Sequence, residues 1–545
     1  MGNIEETCSL IFFGGIHMIT GLRVRNLRAI ADSKKIEFRR INVLVGRNSA
    51  GKSTLLRVLP LLRQSVEQRT KGPILWFGRF VDFGSFRNAM RSSLTDDQCI
   101  HFEFDARLDP KRRGVRNPTR IAPGVFANRP FVTRQSINVS VSFSLGIGNE
   151  DRYGNVRELK LIFPEDTAVF KFDENNNIEV VEVNGLEVKL KSGQRWIVHQ
   201  GKLLPIINVL KTQDFVDSDG EKQQFYTYDE QAFGTSLLQV VMGLVHSNTN
   251  QSRVRKAIGA IAYAPKTDFF RQLKELVGLP PSFYERLLLE GANGPQVARI
   301  RALALLGSLG GILSEIDAEV NDFASGVRYI EPLRASAERY YRLQDLAVDE
   351  IDSRGANVPM FLNSLYSHEM EHLQEWMRHS FGFHVQVSQS SGHVQVEIVG
   401  DNSTTNNIAD LGFGFSQLLP ILLQIWRSMV FPPHDARRLQ PVIAVEQPEL
   451  HLHPQYQSLL ADVLASVLST SDVKGSIFFI ETHSEHLINR LGELIADGDL
   501  SSADVQVIVV EQGGDRITEV KPIEFSELGY LGEGWPTGFF VPRAL

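Results

Sequence analysis

A glycine-bounded loop near the start of the chain has residue types and spacing suited to phosphate chemistry. Residues 46–53 read GRNSAGKS and match G-x-x-x-x-G-K-[S/T], in which the glycines let backbone N–H groups turn towards phosphate oxygens. Lys52 supplies a mobile positive charge for the β- and γ-phosphates, and Ser53 offers its hydroxyl to Mg²⁺. The loop therefore predicts a nucleotide-binding site formed by Gly46, Arg47, Asn48, Ser49, Ala50, Gly51, Lys52, Ser53 and Thr54.

Two groups of polar residues follow apolar stretches in the last quarter of the chain. Residues 442–445 lead into Glu446, Gln447, Pro448 and Glu449, and residues 477–480 lead into Glu481, Thr482 and His483. An acid that leaves a buried strand opposite a phosphate loop is well placed to hold Mg²⁺. A histidine at the end of a neighbouring parallel strand reaches the same crevice. We therefore expect Ser53 and Glu446 to bind the metal and His483 to lie beside them.

A second glycine turn precedes both groups. Residues 411–417 read LGFGFSQ and open a predicted helix, whose N-terminus attracts anions. Gly412, Gly414, Ser416 and Gln417 are therefore candidate nucleotide contacts as well.

The elements that position these residues follow from hydrophobic patterning. Ile41–Val45 is a nearly continuous apolar run, typical of a strand buried on both faces, and a helical pattern over 52–63 follows the loop. We expect Pro60 to end or bend that helix. The last third alternates strands and helices up to a final strand at 505–510. This alternation predicts an α/β fold with a mainly parallel sheet flanked by helices.

The middle of the chain differs in pattern. Residues 101–228 contain alternating stretches typical of strands, whereas residues 232–345 have helical patterns without sustained heptads. We therefore predict five parts, with boundaries as follows: an N-terminal extension (1–17), a first ATPase part with the phosphate loop (18–100), a β-rich insertion (101–230), a helical subdomain (231–345) and a second ATPase part (346–545).

Composition narrows the class of protein. The chain has 545 residues, 43% of them hydrophobic and 22% charged, with a net charge of −7 and two cysteines. These values exclude wholesale disorder and a disulfide framework, and they argue against a general nucleic-acid coat. No unbroken apolar run reaches the ~18 residues of a membrane span. We expect a soluble cytoplasmic protein without a membrane partner, in which translation starts at either Met1 or Met18.

Taken together, the motifs resemble those of ABC-type ATPase heads of the SMC/RecF/OLD group, over about residues 18–100 and 325–545. Gly46–Ser53 resembles the Walker A loop of this group, residues 443–449 the Walker B motif, and residues 451–454 the D-loop. Gly412–Gln417 resembles the signature motif and His483 the switch histidine. The strings EQPELHLHP, ETHSEHL and YIEPLR, together with residues 534–540, resemble one prokaryotic branch in which many members serve anti-phage defence.

The resemblance implies a function as well as a fold. In this group, two heads sandwich two ATP molecules, and the signature helix of one completes the site of the other. The branch includes the PtuA-like ATPases of Septu and retron-associated systems, although PARIS systems use similar heads. By resemblance, we expect ATP and Mg²⁺ as cofactors, self-association, and control of a separate HNH nuclease. A retron reverse transcriptase with its msDNA, or other nucleic acid, is a further candidate partner.

One position departs from the pattern of the group. Most such heads end the Walker B strand with Asp-Glu, where the glutamate activates water, but this chain has Glu446 and Gln447. A neutral amide cannot act as a general base. Either Glu449 or Glu446 takes that role, or hydrolysis is slow and ATP acts mainly as an assembly clamp, which is the interpretation we favour. The catalytic candidates are therefore Glu446, Gln447, Glu449 and His483.

Other patterns leave alternatives open. His368, Glu369 and His372 fit the zinc motif H-E-x-x-H, but nearby leucines and methionines favour ordinary helix packing. A basic run suits either a nucleic-acid contact or a solvated loop: Arg107, Lys111, Arg112, Arg113, Arg116 and Arg120. Residues 508–515 resemble the start of a TOPRIM nuclease domain, but too few residues follow Asp515 to complete its metal site.

Two other functions compete with a defence role. A RecF-like repair ATPase would bind DNA directly, and the net charge of −7 weighs against it. A transporter-coupled ATPase is disfavoured by the long separation between the nucleotide motifs and by the lack of an apolar span.

Overall fold

The computed structural model describes residues 19–91, 98–108, 136–147, 153–216, 222–229, 231–344, 347–400, 404–430, 440–469, 475–513, 518–533 and 535. The first segment contains the phosphate loop between a strand and a helix. Its elements are β1 (Ile19–Leu27), β2 (Ile30–Asp32), β3 (Ile36–Glu37), β4 (Ile41–Gly46), α1 (Lys52–Leu56), α2 (Val58–Glu67) and α3 (Phe86–Ala89).

The helix after the loop is longer than predicted. Only Arg57 separates α1 from α2, and α2 continues to Glu67. Pro60 lies in the first turn of α2, where the missing N–H removes no helical hydrogen bond. The predicted helix over 52–63 is thus interrupted at Arg57, three residues before Pro60, which agrees with the expectation that Pro60 ends or bends it, although a second helix continues to Glu67.

The second segment is built from antiparallel strands. They are β5 (Cys99–Leu108), β6 (Ile137–Gly146), β7 (Asn155–Ile162), β8 (Thr167–Phe172), β9 (Ile178–Val183), β10 (Leu186–Glu187), β11 (Gln194–Gln200), β12 (Pro205–Val216) and β13 (Lys222–Tyr228). Strand β5 pairs with β1, so β5 to β10 extend the sheet begun by β1 to β3, in the order β10-β9-β8-β7-β6-β5-β1-β2. Strands β11 to β13 form a separate sheet.

The third segment is helical until its end. It contains α4 (Gly234–Gly243), α5 (Gln251–Ile258), α6 (Lys266–Lys274), α7 (Pro281–Glu290), α8 (Pro295–Ser325) and β14 (Val327–Ile330). Helix α8 packs against α2, α4 and β12, so it joins the helical segment to the first and second segments.

The last segment returns to alternating strands and helices. Its elements are β15 (Tyr341–Arg342), α9 (Val358–Ser364), α10 (Ser367–Phe381), β16 (Phe383–Ser390), β17 (His393–Gly400), β18 (Thr405–Asn407), α11 (Phe413–Val430), β19 (Val442–Glu446), α12 (Pro454–Ser469), β20 (Ile477–Glu481), α13 (Glu485–Ala496), β21 (Val505–Gln512) and β22 (Thr518–Glu524). Strands β15 to β18 pair with one another in a small sheet.

Six strands from three of these segments form the central sheet, in the order β14-β19-β20-β4-β21-β22. All neighbours are parallel except β21 and β22, which form an antiparallel hairpin at the edge. The sequence did not predict β22; its Pro522 is tolerated because an edge strand has unpaired N–H positions. This sheet confirms the predicted α/β fold with a mainly parallel sheet flanked by helices.

Helices cover both faces of the central sheet, which explains the continuous apolar strands. Strands β4, β19 and β20 are buried at every residue. One face, with Val43, Ile443 and Phe478, belongs to a core that includes α11, α12 and α13, whereas the opposite face packs towards α1, α2 and α8. The carboxyl ends of β4, β19 and β20 therefore meet at one edge of the sheet.

Among the described residues, α8 is the single helix that is long and apolar enough to cross a membrane. It has 31 residues, and its most apolar 18-residue window has a mean hydropathy of 1.4. Half of that window is buried within the protein, as in a core helix. Glycine, serine and charged residues interrupt its apolar residues, so the helix contains no unbroken apolar run.

Candidate functional site

The phosphate loop joins β4 to α1 in a conformation that depends on its glycines. Gly46 and Gly51 have φ angles of 144° and 111°, and Ser49 also has a positive φ of 62°. A Cβ at Gly46 would lie 1.9 Å from the carbonyl oxygen of Val510 on β21, so no larger residue fits there. Arg47, Asn48 and Ser49 are exposed, and the adjacent Ala50 is buried.

Lys52 lies beneath this loop and is almost fully buried, with 4% of its surface exposed. Its ammonium group donates hydrogen bonds to the carbonyl oxygens of Gly46 (2.9 Å) and Arg47 (2.8 Å). Burial lowers its pKa from the ordinary value, while the charges of Glu481 and Glu449 oppose that shift. The ammonium group is therefore fixed against the backbone of the loop that would receive phosphate.

Ser53 faces an acid that the sequence-based site did not include. Its hydroxyl donates to Oε1 of Glu481 over 2.9 Å, and Lys52 Nζ lies 4.0 Å from the same oxygen. Burial, followed by the negative charge of Glu446, raises the pKa of Glu481 to about 7. Ser53 and Glu481 thus place a hydroxyl and a carboxylate side by side, which suits a Mg²⁺ ion because this ion prefers oxygen ligands.

Glu446 is also buried, but its carboxylate already has three donors. Arg57 donates from Nε to Oε1 (2.7 Å) and from Nη2 to Oε2 (2.8 Å), and the Tyr329 hydroxyl donates to Oε1 (2.7 Å). The Arg334 side chain donates to the backbone oxygen of Glu446 over 2.9 Å. Hydrogen bonding to Glu446 raises the pKa of Arg57. The structure thus places Glu446 next to Arg57, which directly follows α1, in a closed network with Arg57 and Tyr329.

The residues after β19 and β20 contact each other directly. Glu449 accepts hydrogen bonds from the Thr482 hydroxyl (2.8 Å) and from the backbone N–H of His483 (2.7 Å). Gln447 has a φ of 43°, and its N–H donates to the carbonyl of Glu481 over 2.8 Å. Burial and the charge of Lys52 lower the pKa of His483. Glu449 and His483 are therefore held together at the edge where β4 ends.

The signature-like turn begins α11 and points outward. Gly412 has a φ of 78° and no atom within 4 Å of the position that a Cβ would take, and 61% of the Phe413 surface is exposed. Ser416 is buried, with its hydroxyl bonded to the carbonyl of Phe413 (2.8 Å). Gln417 is buried as well, and its amide contacts the backbone N–H and carbonyl of Arg334, each at 3.4 Å.

Three contacts connect this turn to the residues at and after the end of β19. A Cβ at Gly414 would lie 3.3 Å from the carbonyl of His451, and the Phe413 and His451 rings are 6.0 Å apart. Gln417 reaches Glu446 through Arg334, since Arg334 bonds to both residues. The turn is thus attached to the strand that carries Glu446.

Two of the H-E-x-x-H residues contact side chains of α11. His372 accepts a hydrogen bond from the indole of Trp426 (3.1 Å), and Glu369 is paired with Arg427 (2.8 Å). Within the described ranges, no group of three histidine, cysteine or acidic side chains is placed to hold a metal. The zinc alternative is therefore not supported.

Several sequence-based candidates lie outside the described residues. These are Lys111, Arg112, Arg113, Arg116 and Arg120 of the basic run, Asp515, and residues 534 and 536–540.

Four residues of the site were not among its sequence-based candidates: Arg57, Tyr329, Arg334 and Glu481. Tyr329 and Arg334 belong to the string YIEPLR, which had no assigned role. The sequence does contain a signal for Glu481. An acid directly ends each of two buried strands, Glu446 on β19 and Glu481 on β20, so both acids could have been predicted at the site.

The fold and the site define an α/β P-loop ATPase domain assembled from distant parts of the chain. The model of the family described as "AAA ATPase domain" matches residues 18–112 and 341–488, which include the phosphate loop, the signature-like turn, Glu446 and His483. None of the curated proteins compared with the chain matches it at a significant level.

Solved structures give weak likenesses to SMC heads. The SMC head domain from Thermotoga maritima is 10% identical, with 93% of this chain and 100% of that chain covered and a TM-score of 0.34. An Smc head domain from Pyrococcus furiosus, solved with the C-terminal domain of ScpA, is 10% identical, with coverages of 93% and 96% and a TM-score of 0.31. At such scores we assign the fold from the sheet order, the phosphate loop and the family model.

Proposed function

We propose that two copies of this protein sandwich two ATP molecules between their heads. The phosphate loop of one copy would hold ATP and Mg²⁺, and the signature-like turn of the other would cover the γ-phosphate. The observation that carries the proposal is the outward position of this turn, with the backbone of Gly412 open and Phe413 mostly exposed. The backbone N–H groups at a helix N-terminus bind anions, so those of one copy could bind the γ-phosphate of an ATP held by the other copy.

We propose further that hydrolysis is slow and that ATP acts mainly as a clamp between the heads. Gln447 is at the usual position of the catalytic glutamate and cannot accept a proton. The charged guanidinium of Arg57 binds both oxygens of Glu446, whereas Glu449 accepts only from two neutral donors, the Thr482 hydroxyl and the backbone N–H of His483. Glu449 is therefore the better candidate for activating water.

The physiological role that we propose is that of a regulatory subunit in a cytoplasmic, prokaryotic anti-phage complex. The ATP-bound pair of heads would control a separate HNH nuclease, and a retron reverse transcriptase with its msDNA is a further candidate partner. The strings EQPELHLHP and ETHSEHL support this role by resemblance. A neighbouring gene for an HNH nuclease or a reverse transcriptase would strengthen it, whereas a replication or repair operon would favour a RecF-like role.

Sedimentation of the purified protein with and without MgATP tests the proposal. We expect a shift from monomer to dimer, or to a larger even oligomer, with ATP. Phe413→Asp should abolish this shift because it adds negative charge where the phosphate of the partner would lie, yet ATP should still bind. Leu289→Asp is the matched control, since Leu289 is an 87% exposed apolar residue on α7.

Turnover measured on the same samples completes the test. We expect a rate below about 1 s⁻¹, at the low end for enzymes, and a gain on the order of tenfold or more in Gln447→Glu. Fast turnover that survives Glu449→Ala, with no gain in Gln447→Glu, would contradict the clamp. An oligomeric state that does not change with ATP would contradict the proposed sandwich. Turnover that requires DNA would favour the RecF-like alternative.

A further inference from the structure

Glu481 is closer to the phosphate loop than the acid that the Walker B pattern selects. Strand β20 pairs directly with β4, and Glu481 lies opposite Leu44 in that register. Glu446 lies opposite Glu481 on β19, one strand further away. Neighbouring strands are about 4.8 Å apart, so Glu446 starts roughly 10 Å from the loop strand and Glu481 only half as far.

Two residues at and after the helix that follows the loop, Ser53 and Arg57, are separated in the same way as Glu481 and Glu446. Ser53 and Arg57 are four residues apart, and the N–H of Arg57 bonds to the carbonyl of Ser53 as in a helical turn. Ser53 reaches Glu481 and Arg57 reaches Glu446. The hydroxyl that the phosphate-loop pattern offers to Mg²⁺ is therefore paired with Glu481 and not with Glu446.

Three acids meet at this edge, and they differ in what their oxygens contact. Both oxygens of Glu446 accept from Arg57, and the two oxygens of Glu449 accept from Thr482 and His483. Oε1 of Glu481 accepts from Ser53, but Oε2 is buried without a hydrogen-bond partner among the described residues. Only 3% of the Glu481 side chain is exposed, so this oxygen lies away from bulk solvent.

A buried carboxylate oxygen without a partner is costly, because its desolvation is not offset by any hydrogen bond. Lys52 does not remove this cost, since its ammonium lies 4.0 Å from the other oxygen and donates to Gly46 and Arg47. A divalent cation beside Ser53 would do so, because Mg²⁺ binds through one or two carboxylates together with phosphate oxygens.

We propose that Glu481, together with Ser53, holds the divalent cation of the bound nucleotide, and that Glu446 instead anchors the site through Arg57 and Tyr329. This inference rests on the proposed binding of ATP by the phosphate loop. It assigns the cation to an acid on the strand next to the loop and gives Glu446 a positioning role.

Nucleotide binding in Mg²⁺ and in EDTA tests the assignment on the full-length protein, with a fluorescent ATP analogue as probe. In Mg²⁺, Glu481→Gln should weaken binding by about tenfold or more, the usual effect of disturbing a metal site. In EDTA the same variant should bind as well as wild type or more tightly, because it removes a negative charge near the phosphates. A structural defect would weaken binding in both conditions.

Glu369→Gln is the matched control, since Glu369 is a buried glutamate paired with Arg427 away from the loop. Mn²⁺ binding to the nucleotide complex, followed by electron paramagnetic resonance, adds a readout independent of turnover. Ser53→Ala and Glu481→Gln should each weaken Mn²⁺ binding, and the double variant should lose less than the sum if both residues hold one ion.

The outcomes separate this inference from the proposed function. If wild type binds nucleotide but Glu481→Gln changes neither Mg²⁺-dependent nor Mn²⁺ binding, the assignment to Glu481 is wrong and ATP binding stands. The same conclusion follows if Glu446→Gln, but not Glu481→Gln, loses the metal. If wild type binds no nucleotide in either condition, the proposed function fails, and the inference fails with it.

Discussion

Two buried clusters in this protein are built from the same three kinds of side chain, an acid, an arginine and a tyrosine. In the central sheet, Glu446 is bound by Arg57 and Tyr329. Between the antiparallel sheet and the helical part, Asp166 is paired with Arg301 (2.8 Å) and accepts from the Tyr263 hydroxyl (3.0 Å). In both clusters, burial first and the neighbouring acid second raise the pKa of the tyrosine.

The clusters differ in their positions and neighbours. Asp166 lies in the turn between β7 and β8, where it ties the antiparallel sheet to α8 through Arg301. Glu446 ends a parallel strand, next to Glu481 and below the helix that follows the phosphate loop. Ligands of open α/β sheets bind at the carboxyl ends of parallel strands. The two clusters thus share the same kinds of side chain, and it is the position of Glu446 at the sheet edge that makes its cluster the candidate functional site.

The largest effect is expected in the structural cluster. Arg301→Leu leaves Asp166 buried with a side-chain exposure of 0%, and such an uncompensated charge costs about 3–5 kcal/mol of unfolding free energy. Urea unfolding measures this loss, and nucleotide affinity of the folded variant should not change. The double variant Asp166→Leu with Arg301→Leu should recover part of the stability. An altered nucleotide affinity in Arg301→Leu would show that the two clusters are coupled.

A smaller effect is expected from ligand binding at the functional cluster. At a MgATP concentration one hundred times Kd, binding adds about 2.7 kcal/mol to the unfolding free energy. The same gain should occur in Arg301→Leu, since its defect is remote from the phosphate loop. Lys52→Ala should show no gain because it loses the ammonium that we propose contacts the phosphates. A gain in Lys52→Ala equal to that of wild type would place the nucleotide elsewhere.

The sequence predicted the central fold because its signals are local. The buried strand β4, the glycine spacing of the loop and the alternation after residue 440 are each contained in a short stretch. The order of the strands is not local, since β4 pairs with β20 and β21, which lie more than four hundred residues later. Without this order, nothing in the sequence shows that Glu481 is closer to Ser53 than Glu446 is.

The contacts of Glu446 could not be predicted from the sequence for a related reason. Tyr329 was visible within a motif, but the acid that it contacts is 117 residues away. The H-E-x-x-H string lies on a helix, as expected, yet the contact that His372 makes depends on Trp426, 54 residues later. Sequence patterns thus located the elements, whereas contacts between distant elements decided the chemistry of individual side chains.

The smallest change in unfolding free energy is expected when either tyrosine is replaced by phenylalanine, which compares the two clusters directly. Tyr329→Phe and Tyr263→Phe each remove one hydrogen bond to a buried carboxylate that retains its arginine, so each should cost about 1.5 kcal/mol of unfolding free energy. Only Tyr329→Phe should also change ATP turnover, because Glu446 is adjacent to Glu481 and the phosphate-loop helix. Urea unfolding and a turnover assay on both variants measure the two effects. Equal losses of turnover in both variants would show that stability alone, and not position at the sheet edge, determines activity.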